Sequence, residues 1–178
     1  GVNTRNGSVY IYRGKGPGGF FQGGVHSVPN EAWTDPSPTQ GNFGYKLSAG
    51  DVTNDGALDI FMSHNNAMPD INQSATAFGS AYLFSGSELS ESYATSLKYI
   101  RDEGLWTHYS SDVAQSWDSA GWRGQFGDMD NDGLVDLLVA DLSDEITSSV
   151  LDPLNINPGS NSGVLTLYKG KEGALPDQ

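Results

Sequence analysis

The sequence predicts an all-β fold, a β-propeller segment of four-stranded antiparallel blades that amounts to two to three blades of an incomplete ring. Three observations predict it. The composition is rich in turn formers and aromatics: 178 residues hold 23 glycines, 8 prolines, 8 tyrosines, 7 phenylalanines and 4 tryptophans, and a chain of that kind forms many short strands rather than remaining disordered. One glycine-bounded strand recurs three times, as Gly7-Ser8-Val9-Tyr10-Ile11-Tyr12-Arg13-Gly14, Gly79-Ser80-Ala81-Tyr82-Leu83-Phe84-Ser85-Gly86 and Gly163-Val164-Leu165-Thr166-Leu167-Tyr168-Lys169-Gly170. An acidic loop recurs twice between apolar runs. Repetition at this period is the mark of an array or a propeller.

Each element follows in order within a unit. Strand one precedes the acidic loop (Tyr45 to Ala49; Trp122 to Phe126), strand two follows it (Leu58 to Met62; Val135 to Ala140), and strand three is the glycine-bounded element. A weaker fourth strand is expected at Gly19 to Gly23 and at Ser96 to Ile100. Residues 1–40 then hold strands three and four of a first blade, residues 41–118 a full blade with the first loop, and residues 119–178 strands one to three of a further blade with the second loop. Because a blade buries its faces against two neighbours, an open arc leaves apolar faces in water. The chain is therefore expected to close its ring with other chains or with the rest of a longer polypeptide.

The two loops carry the chemistry. They run Asp51-Val52-Thr53-Asn54-Asp55-Gly56-Ala57-Leu58-Asp59 and Asp128-Met129-Asp130-Asn131-Asp132-Gly133-Leu134-Val135-Asp136. Oxygen side chains fall at positions 1, 3, 5 and 9, and glycine stands at position 6. A hard cation such as Ca²⁺ takes six to eight oxygens at about 2.3–2.6 Å, and alternate residues of a curled loop can aim at one centre. The expected ligands are Asp51, Thr53, Asp55, the Ala57 carbonyl and Asp59 in one loop, and Asp128, Asp130, Asp132, the Leu134 carbonyl and Asp136 in the other. The loops are not EF-hands. Position 12 is Met62 or Val139 where that motif needs a bidentate Glu, and each loop opens onto a strand-forming run. A bare Asn-Asp-Gly hairpin is the alternative, but a turn alone does not call for acids at positions 1 and 9. Four carboxylates in the second loop against three in the first predict tighter binding at the second, since ligand charge tunes affinity.

These residues resemble the FG-GAP repeat found in integrin α-subunit propellers and in many bacterial secreted proteins. Phe43-Gly44 followed by Ala49-Gly50-Asp51 through Asp59-Ile60-Phe61 carries the likeness, and the second copy keeps the loop with Ala120 where the Phe would stand. Neither copy has a clear Gly-Ala-Pro. The resemblance implies a propeller with calcium in the strand 1–2 loops of one face and ligand gripped on the other face by the 2–3 and 4–1 loops.

Those ligand loops are Ser63 to Phe78 and Asp141 to Ser162, together with aromatic-bearing segments that contain Trp33, Trp106, His108, Tyr109 and Trp117. Aromatics beside amides and carboxylates suit a sugar or a peptide. Asn65, Asp70, Trp106, His108 and Trp117 are the candidate contacts, and packing of the tryptophans between blades is the alternative.

Charge narrows the partners. With 22 acidic against 9 basic residues the formal charge is −13, which repels phosphate surfaces, so nucleic acid is not expected, and since no stretch approaches the ~18 apolar residues of a membrane span, neither is membrane insertion. Millimolar calcium points to an extracellular or cell-surface setting. The three histidines occupy separate loops, and the sequence has no cysteine and no Gly-x-Ser-x-Gly, so no catalytic constellation emerges and no enzyme is expected. The expected role is adhesion, or binding of a protein or glycan. The alternatives are a non-catalytic accessory module of a secreted polysaccharide-active enzyme and an architectural surface or matrix protein.

Overall fold

A computed structural model describes residues 7–12, 29, 31–34, 42–64, 79–89, 98–99, 106–109, 119–142 and 163–176. These residues form an all-β structure of three small sheets, with one 3-10 turn, Gly86–Glu88, as the helical content. None of their helices is long and apolar enough to cross a membrane.

The central sheet shows how the pattern works. It contains β3 (Phe43–Gly50), β4 (Asp59–His64), β5 (Ser80–Phe84) and β7 (Trp106–Tyr109), in that order and antiparallel throughout. β4 and β5 are buried at almost every position rather than at every second one, as a strand covered on both faces is. All five residues of β5 are 0–4% exposed, on alternating sides. Met62, Tyr82 and Phe84 pack with Val9 and Trp33 of the first sheet, whereas Phe61, Ala81 and Leu83 pack with Leu137 and Val139 of the third.

The first sheet joins β1 (Ser8–Ile11) to β2 (Glu31–Thr34) antiparallel and β2 to β6 (Lys98–Tyr99) parallel. The third sheet joins β8 (Ser119–Gly127), β9 (Asp136–Leu142) and β10 (Val164–Tyr168), again antiparallel. β3 and β8 share an irregularity at the same place: the register shifts between Phe43 and Leu47 and between Ser119 and Arg123. Gly44 and Gly121 sit in these bulges at φ +79° and +63°. A Cβ there would lie 2.8 Å from the Val9 side chain or 2.4 Å from that of Ala81, so glycine lets each leading strand lie flat on the preceding sheet.

The fourth strands differ from the expectation. Strand four of the central sheet is Trp106–Tyr109, and Lys98–Tyr99, expected in that place, instead extends the first sheet. Gly19 to Gly23 lies outside the described residues, and Glu31–Thr34 is what pairs with β1. Trp33 is accordingly a strand residue, 1% exposed, with its ring centroid 4.5 Å from that of Phe84. It is core, not a ligand platform. β9 also runs further than expected, so Asp141 is a strand residue, buried, accepting the Gly121 N–H at 2.6 Å.

Candidate calcium loops

Both acidic loops connect strands one and two of their sheets, β3 to β4 and β8 to β9. Their hydrogen bonds repeat. The position 1 carboxylate receives the N–H groups of positions 5 and 6: Asp51 from Asp55 at 3.0 Å and Gly56 at 2.9 Å, Asp128 from Asp132 at 3.1 Å and Gly133 at 3.0 Å. The position 5 carboxylate receives the N–H of position 7, Ala57 at 2.8 Å and Leu134 at 2.9 Å. Position 4 is left-handed in both, Asn54 at φ +51° and Asn131 at +61°, and asparagine tolerates that conformation better than most residues. Gly56 and Gly133 follow at +89° and +91°. The acids thus hold the curl of the backbone themselves, a use for position 1 that the sequence reading assigns to metal alone.

Position 9 ties each loop to strand three. Asp59 is fully buried and accepts the Thr53 N–H at 2.9 Å and the Gly86 N–H at 3.0 Å. Asp136, also fully buried, accepts the Met129 N–H at 2.8 Å and the Gly170 N–H at 2.9 Å. Gly86 and Gly170 are the closing glycines of the repeated strand. A Cβ on either would lie 2.1 Å from a backbone carbonyl oxygen, that of Leu58 or Val135. The repeat keeps glycine there so that two backbones can approach closely enough for a buried carboxylate to bind the strand end.

The loops differ in their open acids. The carboxylates of Asp128, Asp130 and Asp136 each place an oxygen within 4.8 Å of the others, and they are the one such acidic group among the described residues. Two ligands on opposite sides of a Ca²⁺ at about 2.4 Å stand about that far apart, so three all-oxygen donors at this spacing suit a hard cation. Asp51, Asp55 and Asp59 do not gather into a comparable group. Lys169, which occupies the place of Ser85 in the middle repeat, forms an ion pair with Asp130. This contact holds the Asp130 carboxyl below the usual carboxylate range and raises the Lys169 ammonium. Asp55 is likewise lowered, first by the Ala57 N–H and then by Ser87.

Of the candidate ligand contacts, Asn65, Asp70 and Trp117 lie outside the described residues. Trp106 and His108, expected in a loop, belong to β7, where they pair with Leu83 and Ala81. The sequence reading missed four participants: Gly86, Gly170, Lys169 and Asn54, whose amide oxygen reaches the Val135 N–H of the other loop at 3.0 Å. The repeated closing glycine was the available signal for the first two. No family model matches the chain, and no curated protein does.

Proposed function

We propose that this chain is a calcium-stabilised propeller segment of the FG-GAP kind, working outside the cell or at its surface as a binding module for a protein or glycan, with adhesion as its setting. The observation that carries the reading is the duplicated loop, two copies with one hydrogen-bonding scheme between strands one and two of two consecutive sheets. Propeller geometry is supported by the way each sheet lays one face on the next through equivalent residues. Two calcium ions would be held by Asp51, Thr53, Asp55, the Ala57 carbonyl and Asp59, and by Asp128, Asp130, Asp132, the Leu134 carbonyl and Asp136. Bound there, calcium would supply the positive charge that lets crowded carboxylates stay ionised, and its binding free energy would add to that of folding.

The second site is the tighter in this reading, because its carboxylates already converge. Lys169 works against it. Lys169→Met should tighten calcium binding at the second loop about two- to fivefold, the weight of an exposed ion pair, as read by calorimetry. Adhesion is tested with a glycan array and a panel of folded extracellular proteins, each probed with and without calcium. Calcium-dependent binding is the expected result, and binding confined to polysaccharides, with no folded protein retained, would replace this reading with the enzyme-associated one.

One observation favours the architectural alternative beside it. Leu165 and Leu167 stand in the repeat where Ala81 and Leu83 stand in the middle sheet, yet the first pair is 68% and 43% exposed and the second pair 0%. An apolar sheet face of this kind calls for a further sheet from another chain or from the rest of a longer polypeptide.

A further inference from the structure

We infer that Asn54 is a positioning residue for the second loop, and that through it the two loops take up calcium cooperatively; this rests on the calcium reading proposed above. Asn54 belongs to loop one by sequence and touches loop two in space. Its side-chain amide donates to the Val52 carbonyl at 3.1 Å and accepts the Val135 N–H at 3.0 Å. Val135 immediately precedes Asp136, the buried carboxylate at position 9 of the second loop.

Two further bonds run the same way. The Lys171 N–H donates to the Val52 carbonyl at 3.3 Å, and the Gly173 N–H donates to the Thr53 carbonyl at 2.6 Å. Lys171 follows Gly170, whose own N–H holds Asp136. A Cβ at Gly170 would come within 3.0 Å of the Asn54 amide nitrogen, so the amide fills the space beside that glycine. Ordering loop one therefore fixes the two peptides, at Val135 and at Gly170 to Lys171, that aim Asp136. Linkage makes the effect reciprocal: whatever loop one does for the affinity of loop two, loop two does for loop one. Asn131 provides the internal control. It has the same left-handed backbone and the same place in its loop, but its side chain is exposed and reaches no other loop among the described residues.

The test is a calorimetric double-mutant cycle on the full chain with calcium as the only ligand. Loop one is disabled by Asp55→Ala, which removes an exposed acid and leaves the buried ones in place. In the otherwise unmodified chain, Asp55→Ala should weaken calcium binding at loop two by about fivefold or more, the lower end of ordinary coupling between sites. In chains that also carry Asn54→Gly, which keeps the left-handed backbone and removes the amide, the loss should fall to about half or less, the remainder carried by the two backbone bonds. With Asn131→Gly in its place the full loss should persist. A second readout does not need loop two to bind: in a chain carrying Asp132→Ala, calcium should slow exchange of the Val135 amide proton when Asn54 is present and not after Asn54→Gly. Equal losses with and without Asn54, or an unchanged Val135 amide, would overturn the inference while leaving calcium binding intact. An unmodified chain that binds no calcium at either loop would overturn both.

Discussion

Asp136→Ala is expected to lower stability by about 3–4 kcal/mol, because it strands one buried and one half-buried N–H group at a cost of about 1–3 kcal/mol each, the half-buried one at the lower end. The carboxylate is fully buried and holds Met129 on one side and Gly170 on the other. In a chain of this size that is a fall of about 6–16 °C in melting temperature. Asp136→Asn retains one acceptor oxygen and should lose roughly half as much, which separates the hydrogen-bonding role from any role in holding a cation. Thermal melts of the three chains in metal-free buffer give the comparison directly. A loss below about 0.5 kcal/mol for Asp136→Ala, the range of an ordinary surface substitution, would mean that the third sheet does not depend on this tether.

Gly170→Ala should be comparably severe for a different reason. The new methyl would meet the Val135 carbonyl oxygen at 2.1 Å, and since both partners are backbone, no side-chain rotation relieves the contact. Either strand three withdraws from position 8 of the loop, breaking the Gly170 bond to Asp136, or the loop shifts as a whole. Overpacking of this kind costs about 1–3 kcal/mol even in cores that can adjust, and loss of the buried bond adds to it, so a loss of about 3 kcal/mol or more is expected. Gly86→Ala should match it through the Leu58 carbonyl. Gly173→Ala makes a contrasting control: a Cβ there meets nothing within 4 Å, so its cost is limited to the left-handed backbone at φ +67°. If Gly170→Ala and Gly173→Ala destabilise equally, close approach is not why the repeated strand ends in glycine.

What the sequence made legible follows a physical line. Strands one to three were readable because each has its own signature: an acidic loop that must start and stop somewhere, and a glycine at either end of an alternating run. Strand four has none. Glu31–Thr34 opens with a charged residue that the fold buries, so neither alternation nor propensity marks it, and its pairing is decided by what lies beside β1. Lys98–Tyr99 shows the same limit from the other side. The segment is strand-like as expected, but the sheet it joins is fixed by tertiary contact, which local pattern does not encode. Trp33 reads as a loop residue on that account, and its burial against Phe84 comes with the strand.

The loop acids were legible as a set because of their spacing, but not in their division of labour. Asp51 and Asp128 secure the curl, Asp59 and Asp136 secure the next strand, and only in the second loop do three carboxylates converge. That difference lies at position 3, an acid in Asp130 and a hydroxyl in Thr53, and what the sequence hides is the pairing of Asp130 with Lys169, thirty-nine residues away. The link from Asn54 to Val135 spans 81 residues and leaves no local trace, since Asn at position 4 is explained well enough by its left-handed backbone.

The proposed function requires that calcium stabilise the fold. Its most direct test is the thermal melt of the metal-free full chain titrated with calcium, at constant ionic strength and with magnesium as the control ion. The melting temperature should rise with the logarithm of calcium concentration beyond saturation, with two ions bound per chain and reversal on chelation. A melting temperature that stays unchanged from excess chelator to millimolar calcium would contradict that requirement and leave the two loops as turns held by their own carboxylates.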